Sequence, residues 1–432
     1  MYPNLYYVFE DFFGVKIGIL RFINSFGFFV AIAFLVAAAL LGKELRRKSE
    51  EGLFKPTERK LVVGGPATTG ELVVNFLLGF LFGFKILALF IIGSEAVKDP
   101  QAYIFSSNGS LWLGLFTGGL FAWMKWRERK KQQLKTPEER MVRIWPHDRV
   151  GEITVIALIV GLLGAKLFDI FENWDDFLTH PSDYILSGGG LTFYGGLICA
   201  TIAIVIYTRK NKFSVRHLAD AIAPSLMIAY AIGRIGCQVA GDGDWGIYNT
   251  AYKVDAENKI APATPNDFAD TVKAHSAYFF QHYGRLDSLP HTSFVKPSAL
   301  SFLPNWMFAY DYPHNVNKMG IPISGCSDAF CNRLAVPVFP TPFYETLMCT
   351  VLFFLLWAVR KKIRLAGALF CLYLILNGAE RFLIEKIRVN NRLHFLGLHP
   401  TQAEVIALGL IIVGILIWLI LWQKNRATSQ KV

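Results

Sequence analysis

The hydrophobic residues of this chain fall into nine long runs that are separated by polar loops. Each run approaches the ~20 apolar residues that an α-helix needs to cross the hydrocarbon core of a bilayer. Because lipid cannot satisfy backbone polar groups, runs of this length predict transmembrane helices. We therefore expect an all-α polytopic membrane protein. The predicted spans are residues 22–42, 72–93, 108–124, 152–172, 190–207, 217–236, 343–359, 365–384 and 402–422, of which the third and the seventh are short.

The composition supports a membrane protein and argues against a nucleic-acid-binding one. Of the 432 residues, 53% are hydrophobic and only 18% are charged, against roughly 25% charged in soluble domains. The formal net charge of +11 would suggest nucleic acid as a partner if the chain were soluble. Here the basic residues lie in short loops between apolar runs, where the preference for positive charge on the cytoplasmic side explains them.

The distribution of Lys and Arg predicts the orientation. One set of loops holds 27 of them, and the opposite set holds 13, mostly in one long segment that is a weak topology signal. The richer set is residues 43–70, 125–151, 208–217, 360–365 and 423–432. We therefore expect the N-terminus outside, the C-terminus in the cytoplasm and residues 237–342 outside. The first run is too long for a cleavable signal peptide and its basic cluster follows it, so we expect a span.

Arg234 lies near the end of the sixth predicted span, within an apolar stretch. A guanidinium costs about 2.5–3.5 kcal/mol at the bilayer centre, and less near the interface, so it needs an anionic partner. A lipid phosphate is one such partner. Several glycines follow, together with Asp242 and Asp244, and glycine permits close backbone approach and sharp turns. We interpret residues 229–246 as part of a pocket for a charged head group.

A glycine-rich segment surrounds Tyr194 at the start of the fifth predicted span. One interpretation is close helix–helix packing, for which membrane helices use glycine. The other is a helix start that presents Tyr194 and backbone N–H groups to a ligand. Further along, Asp220 stands at the beginning of the next span, where it is expected to cap that helix.

The second half of the chain adds acids and further arginines. Glu345 stands near the N-terminus of the seventh span, where the helix dipole favours a negative charge. Arg381, Glu385 and Arg388 follow at i, i+4 and i+7 and share one helical face. They form either a self-paired ladder or part of an anion site. Arginines at two separate span ends favour a shared anion site formed by Arg234 and Arg381.

The cysteines separate into two groups. Cys326 and Cys331 lie in the polar outer segment, where an oxidising compartment favours a disulfide. The other four fall in or beside spans and are expected to be small buried residues. We see no His, Cys and carboxylate spacing typical of a metal site, so we expect no metal or other cofactor.

Seven segments together resemble the prolipoprotein diacylglyceryl transferase family of bacterial inner-membrane enzymes, which start lipoprotein maturation. The resemblance covers about residues 150–246 and 338–422. The segments, in the family's order, are Gly164–Lys166, Gly189–Leu197, Asp220–Pro224, Gly233–Gly236 with Gly241–Asp242, Pro340–Glu345, Arg381–Glu385 with Arg388, and Pro400–Gln402.

The resemblance implies transfer of a diacylglyceryl group from phosphatidylglycerol to the lipobox cysteine of a preprolipoprotein signal peptide, on the periplasmic side of the inner membrane. Glycerol phosphate leaves and a thioether forms. Arg234 and Arg381 would stabilise the departing phosphate, and the thiol must lose its proton. The implied catalytic residues are Arg234, Arg381 and Tyr194. The implied substrate-binding residues are Lys166, Gly195, Gly196, Gly236, Asp242, Tyr344, Glu345, Glu385, Arg388 and Gln402.

The chain departs from the family's pattern at several of these positions. The family commonly has histidine, often proposed as the base, where Tyr194 stands, and a phenol is a poor base unless cations ionise it. Either Tyr194 only positions the substrate, or the base is another residue such as Glu345 or Asp242. The further departures are Lys166 for Arg, Cys237 for Asn, Asp242 for Glu, and Phe339 and Pro342 for His and Gln.

The resemblance also divides the chain and marks two additions, the helical pair at 71–124 and the outer insertion at 247–338. The expected segments are 1–70 (first span and basic loop), 71–124, 150–246 (first part of the catalytic core), 247–338, 339–422 (second part of the core) and 423–432 (cytoplasmic tail).

Two other classes of function fit part of this pattern. A transporter or flippase for anionic lipid would also use intramembrane arginine and broken glycine-rich helices. However, we find no paired internal repeat, and the polar residues gather at one membrane face. The other class is a membrane protein that binds lipid without turnover, which the tyrosine at position 194 favours.

Overall fold

The computed structural model describes residues 1–88, 103, 108–179, 181, 192–287, 289–390 and 399–429, and these residues are mainly helical. Residues 89–93 and 190–191 of two predicted spans lie outside the described residues, as does the glycine run 188–190. The helices are α1 (Leu5–Phe13), α2 (Ser25–Glu50), α3 (Thr69–Leu81), α4 (Leu111–Gln132), α5 (Val150–Glu172), α6 (Trp174–Thr179), α7 (Phe193–Lys210), α8 (Val215–Ala240), α9 (Asp267–Ala274), α10 (Ser276–Tyr283), α11 (Thr341–Val359), α12 (Ala368–Glu385) and α13 (Gln402–Ser429).

Each of the nine predicted spans coincides with a described helix. Within the described residues, six helices are long and apolar enough to cross a membrane. The other three, α4, α7 and α12, carry charged residues within or at the end of a short apolar stretch. The six are Ser25–Glu50, Thr69–Leu87, Pro146–Glu172, Val215–Ala240, Thr341–Val359 and Gln402–Arg426. A polytopic helical protein is therefore confirmed, and the total of nine spans stays a prediction.

The chain forms two compact units, and each border lies within or at the start of a continuous helix. One unit is Gly42–Val215, and the other combines Met1–Leu41 with Arg216–Val432. The second border therefore falls inside the predicted segment 150–246.

In the unit Gly42–Val215, glycines allow two helix pairs to approach closely. α5 packs on α7, and α3 packs on α4 with the Thr117 hydroxyl donating to the Gly79 carbonyl at 2.6 Å. Two strands, β1 (Thr57–Val63) and β2 (Glu138–Ile144), pair antiparallel from Thr57↔Ile144 to Val63↔Glu138. Their charged residues, such as Arg59 and Glu139, suit a sheet exposed to water on a polar loop.

In the other unit, α8, α11 and α12 enclose an apolar core. Met227 of α8, Leu356 of α11 and Leu369 of α12 are among its fully buried members. Full burial of a leucine or methionine side chain stabilises a fold by about 1.5–3 kcal/mol relative to exposure. This core fixes the positions of the three helices. The charged residues described below lie in or shortly after the C-terminal parts of α8 and α12 and in the N-terminal part of α11.

Asp220 caps a helix other than its own, which corrects the expectation that it caps α8. Its carboxylate oxygens accept hydrogen bonds from the Gly367 N–H at 2.8 Å and the Phe370 N–H at 3.1 Å. Gly367 is the N-cap of α12 and has a φ of 95°, which only glycine adopts readily. Asp220 thus satisfies unpaired N–H groups at the start of α12 and ties that helix to α8.

The insertion 247–338 is folded around its own core. Buried members of this core include Tyr248, Phe279, Tyr312 and Val338. Its short strands are β3 (Tyr248–Asn249), β4 (Tyr252–Val254), β5 (Ile260–Pro262), β6 (His291–Thr292), β7 (Ile321–Pro322) and β8 (Asn332–Arg333). They pair as β3 with β6 in parallel, and β4 with β5 and β7 with β8 antiparallel.

A disulfide joins Cys326 and Cys331 in the insertion, with their Cα atoms 5.6 Å apart. Of the remaining cysteines, three are buried and Cys199 is half-buried. The pairing agrees with the disulfide that the sequence predicts for these two cysteines.

Candidate active site

Arg234 lies one and a half turns before the end of α8 and is held by carboxylates. Its guanidinium forms ion pairs with Asp244 and with Glu345. It also donates to the Tyr230 hydroxyl at 3.3 Å, and its Cζ lies 5.1 Å from the centre of that ring. The arginine is therefore satisfied from two sides, by an acid after its own helix and by an acid on α11.

Glu345 on α11 is the shared partner of the arginines. Its side chain is fully buried, and it pairs with Arg234, with Arg381 at 3.2 Å and with Arg388 at 3.5 Å. Arg381 also contacts Glu385 at 3.3 Å, one turn further along α12. The structure thus brings Arg234 and Arg381 to one carboxylate, as their placement at two span ends suggested.

Arg388 follows α12 and joins the same network. It contacts Asp244 at 2.6 Å in addition to Glu345. The surrounding backbone is pinned, because the Gly246 N–H donates to the Phe339 carbonyl at 2.9 Å and the Ile247 N–H donates to the Ile387 carbonyl at 2.9 Å. A Cβ at Gly246 would lie 2.5 Å from the Ile387 oxygen, so this crossing requires glycine. Of the self-paired ladder that was one alternative for this helix, the Arg381–Glu385 ion pair forms, whereas Arg388 pairs with Asp244 and Glu345.

The acid that pairs with the arginines is Asp244, whereas the sequence interpretation selected Asp242. Burial raises the pKa of Asp244, but Arg234 and Arg388 more than offset it and lower the pKa to about 2. Burial and the nearby Asp244 instead raise the pKa of Asp242. An oxygen of Asp242 accepts from the Asp244 N–H at 3.3 Å. Asp242 thus shapes the turn that presents Asp244, and it has more basic character than its neighbour.

The sequence interpretation did not select Glu380, which lies beside Arg381 on α12. It is 1% exposed, and neither of its carboxylate oxygens has a hydrogen-bond partner within the described part of the chain. Burying a polar group without a partner is costly, so the placement of this carboxyl needs a reason other than packing. The sequence does contain a feature that could have identified Glu380, because it is an acid within an apolar run, immediately before Arg381.

A cavity of ≈ 400 Å³ adjoins the network, which is in the size range of small-molecule sites. Glu385 and Arg388 line it, together with residues from the insertion and from the start of α13. Arg234 and Arg381 are not among its described lining residues. The lining residues are Ile247, Pro290, His291, Glu385, Lys386, Arg388, Val389, Asn390, His399, Thr401 and Glu404.

The predicted residues Lys166, Tyr194, Gly195 and Gly196 lie in the other unit. Tyr194 is half-buried in the first turn of α7. A Cβ at Gly195 would lie 2.3 Å from the Phe168 Cβ, and one at Gly196 would lie 2.7 Å from a backbone oxygen of α5. Packing of α7 on α5 therefore accounts for both glycines. Lys166 lies 3.8 Å from the carboxylate of Asp169, one turn further along α5.

Three further predicted residues belong to the arginine-containing unit. Gly236 packs against α2, where an added Cβ would lie 3.0 Å from that of Phe29. The Tyr344 hydroxyl donates to the Met307 carbonyl at 2.7 Å and so connects α11 to the insertion. Gln402 is exposed at the start of α13. These contacts give Gly236 and Tyr344 structural roles beside any contact with a ligand.

One group of residues has the composition of a metal site. Ligand atoms of Cys237, Asp242 and Asp244 lie within 4.8 Å of one another. However, both oxygens of Asp244 already contact arginines. A divalent cation would have to displace or repel those guanidinium groups, so the donor set does not fit a metal.

The fold and the site define a polytopic helical membrane protein with a buried arginine–carboxylate network beside a cavity. Comparison with known proteins then identifies the family. Residues 112–420 match the family model described as prolipoprotein diacylglyceryl transferase, and the chain belongs to this family. The family predicted from the seven segments is thereby confirmed.

Three relatives illustrate the similarity, and each carries the name phosphatidylglycerol–prolipoprotein diacylglyceryl transferase. The protein of Dehalococcoides mccartyi is 25% identical over 341 residues, which is 77% of this chain and 96% of the relative. That of Leptospira interrogans is 26% identical over 279 residues, 59% of this chain and 66% of the relative. The second such protein of Clostridium perfringens is 35% identical over 100 residues, 23% of this chain and 39% of the relative.

Proposed function

We propose that this protein transfers the diacylglyceryl group of phosphatidylglycerol to the cysteine thiol of a preprolipoprotein lipobox. The sulfur forms a bond to the glycerol carbon that carries the phosphate ester. The bond between that carbon and the phosphate oxygen breaks, its electron pair stays on the oxygen, and glycerol phosphate leaves. The names of the relatives support this substrate pair.

The observation that carries the proposal is the convergence of three arginines beside a cavity. Arg234, Arg381 and Arg388 all contact Glu345, and Arg388 lines the cavity. Guanidinium groups bind phosphate oxygens with two parallel hydrogen bonds. A fixed set of cations at the leaving oxygen stabilises the charge that develops there without reorganisation during the reaction.

The carboxylates of this network also hold the arginines in fixed positions. Each arginine has at least two acidic contacts, so the guanidinium groups are held in position before substrate arrives. A phosphate at the cavity must then compete with Asp244 and Glu345 for Arg388. We infer that the phosphate first meets Arg388 at the cavity wall, while Glu345 keeps Arg234 and Arg381 behind it.

The topology belongs to the same proposal. Nine spans, with the N-terminus outside and the C-terminus in the cytoplasm, put the insertion 247–338 and the arginine network on the periplasmic side of the inner membrane. This side is where a secreted lipobox emerges, and the Lys and Arg distribution supports it. The segments 71–124 and 423–432 then face the membrane and the cytoplasm, respectively.

A lipid-transfer assay tests the proposal. The purified protein is placed in bilayers that contain labelled phosphatidylglycerol, and a peptide with a lipobox cysteine is added. We expect a labelled thioether on the peptide together with glycerol phosphate. Movement of labelled lipid between leaflets without a thioether would instead identify a transporter, and lipid binding with neither outcome would identify a binding protein.

A further inference from the structure

His291 of the insertion lines the cavity that Arg388 and Glu385 also line. We propose that His291 is the base that takes the proton from the substrate thiol. This inference rests on the proposed function, because only a thiol substrate requires such a base. The thiolate is the reactive form, and histidine is the side chain that most often accepts protons near neutral pH.

The geometry of the ring selects one nitrogen for this role. His291 Nδ1 lies 2.7 Å from the Leu289 carbonyl oxygen. A carbonyl can only accept, so Nδ1 carries the proton and Nε2 keeps its lone pair in the neutral ring. The ring of Phe268 packs on the imidazole, with the two ring centres 4.6 Å apart. The backbone and one aromatic ring thus set the tautomer and the orientation of the imidazole.

The insertion holds His291 beside the arginine network through backbone contacts. His291 starts β6, which pairs with Tyr248 at the start of β3. One residue earlier, the Ile247 N–H donates to the Ile387 carbonyl, next to Arg388. The position of the imidazole relative to Arg388 is therefore determined by a continuous set of strand and backbone hydrogen bonds.

The acids of the network are less suited to take this proton. Asp244, Glu345 and Glu385 each form ion pairs with arginines, so their carboxylate oxygens are already engaged. Asp242 is not among the described residues that line the cavity. His399 is the other histidine of the described cavity wall, and it lies in the loop before α13, outside the insertion.

The proposed step is balanced. The thiol proton moves to Nε2 of His291 as the sulfur attacks the glycerol carbon. The carbon–oxygen bond to the phosphate breaks, and the phosphate oxygen keeps the electron pair. The imidazolium then returns its proton to the departing glycerol phosphate or to water. No oxidant, metal or further reactant is needed.

The test uses the full-length protein in phosphatidylglycerol bilayers, with the lipobox peptide as acceptor. We expect His291→Ala to lower kcat at least about 100-fold, as loss of a general base does, with little change in the KM for phosphatidylglycerol. Added imidazole should restore a measurable part of the activity, which a merely structural role would not allow. His282→Ala is the matched control, since His282 is an exposed histidine of the same insertion outside the cavity wall.

A second variant distinguishes loss of the base from loss of the fold. His291→Asn keeps a donor for the Leu289 carbonyl but has no basic nitrogen, so it should fold normally and lose activity to the same extent. Activity of either variant within about threefold of the unmodified protein, or a loss that imidazole leaves unchanged in His291→Ala, would overturn the assignment of the base. Absence of thioether product from the unmodified protein would instead reject the proposed function.

Discussion

At the scale of single residues, Glu345 is the acid around which the arginines gather. It is fully buried and contacts three guanidinium groups from two separate parts of the chain. Removing one member of a buried ion network leaves the remaining charges uncompensated, which typically costs 3–5 kcal/mol. Substitutions in this network therefore change both stability and function, and experiments must separate the two effects.

We expect Arg234→Ala and Arg381→Ala each to abolish diacylglyceryl transfer, because each removes a cation from the proposed phosphate site. Turnover is measured per folded protein, and Arg234→Lys and Arg381→Lys serve as variants that keep the positive charge. Lysine lacks the planar two-point geometry, so we expect these variants to fold well and to remain strongly impaired. Arg285→Ala, at an exposed position of the insertion, is the control and should transfer lipid normally.

Full activity of folded Arg234→Ala would remove this arginine from the mechanism. Tyr194→Phe provides a contrast, because it deletes a hydroxyl and leaves the ring in place. If Tyr194 only positions the substrate, its loss of activity should be clearly smaller than that of either arginine variant.

Asp244 links stability to pH. Its pKa is lowered to about 2 in the folded protein, below the ordinary value of 3.8. A carboxylate with a lowered pKa stabilises the fold above its unfolded pKa, and this contribution is lost as the pH falls towards the folded pKa. We therefore expect Asp244→Asn to reduce stability at neutral pH by about 1 kcal/mol, a value discounted because solvent reaches a third of the side chain.

The difference between Asp244→Asn and the unmodified protein should shrink as the pH falls from about 4 to about 2, since both then lack the negative charge. Chemical unfolding in mild detergent over this pH range measures it. Asp270→Asn, on an exposed turn of α9, should change stability by less than about 0.5 kcal/mol at every pH. A difference for Asp244→Asn that stays constant down to pH 2 would contradict the ion pairs with Arg234 and Arg388.

At the scale of elements, α5 and α7 show how glycine in this chain serves packing. Gly195 of α7 faces Phe168, and Gly164 of α5 faces Cys199. Without side chains at these positions the two backbones approach closely, which is how membrane helices gain contact energy in the absence of a hydrophobic driving force. From the sequence, the glycines around Tyr194 could serve either helix packing or presentation of groups to a ligand. The described contacts of Gly195 and Gly164 agree with helix packing.

We expect Gly195→Ala to lower the thermal midpoint of the protein in detergent, because the new Cβ would lie 2.3 Å from the Phe168 Cβ. Overpacking of this kind typically costs 1–3 kcal/mol. Gly151→Ala is the matched control on α5, since a Cβ there meets nothing within 4 Å. It should be neutral or slightly stabilising, as alanine favours helix more than glycine does. Equal midpoints for the two variants would contradict tight packing at Gly195.

At the scale of the whole molecule, orientation decides which compartment the arginine network faces. The disulfide Cys326–Cys331 provides a native marker in the insertion. We expect a membrane-impermeant thiol reagent to label these cysteines from outside the cytoplasmic membrane, but only after reduction. A cysteine introduced as Lys131→Cys, in a variant with Ser at 326 and 331, should be labelled only after the membrane is permeabilised. Labelling of Lys131→Cys in intact membranes would reverse the proposed topology.

Much of the architecture follows from local pattern. Helices coincide with all nine apolar runs, because an apolar run of this length has few alternatives to a helix. The fold of the insertion did not follow in this way, since its strands are only two or three residues long and β3 pairs with the distant strand β6. Pairing such as that of Tyr248 with His291 depends on tertiary contacts rather than on periodicity.

The candidate site, too, could be predicted from the sequence only in part. Arg234, Glu345, Arg381 and Arg388 can be found from the sequence, because a charge in or beside an apolar run needs a partner. The sequence does not show which partner each of these charged residues has. Asp242 and Asp244 are separated by two positions and differ little in sequence context, and only the turn at the end of α8 decides that Asp244 meets the arginines.

The sequence by itself therefore determined the helical membrane architecture, the family and the charged residues that the lipid environment makes costly. Only the tertiary structure decided that Glu345 is shared by three arginines, that Asp220 caps α12, and that His291 shares a cavity with Arg388. The physical reason is that hydrophobic length and charge cost are properties of a residue and its neighbours in the chain. Ion pairs, caps and cavities depend on atoms brought together from distant positions, and their energies fall off within a few ångströms.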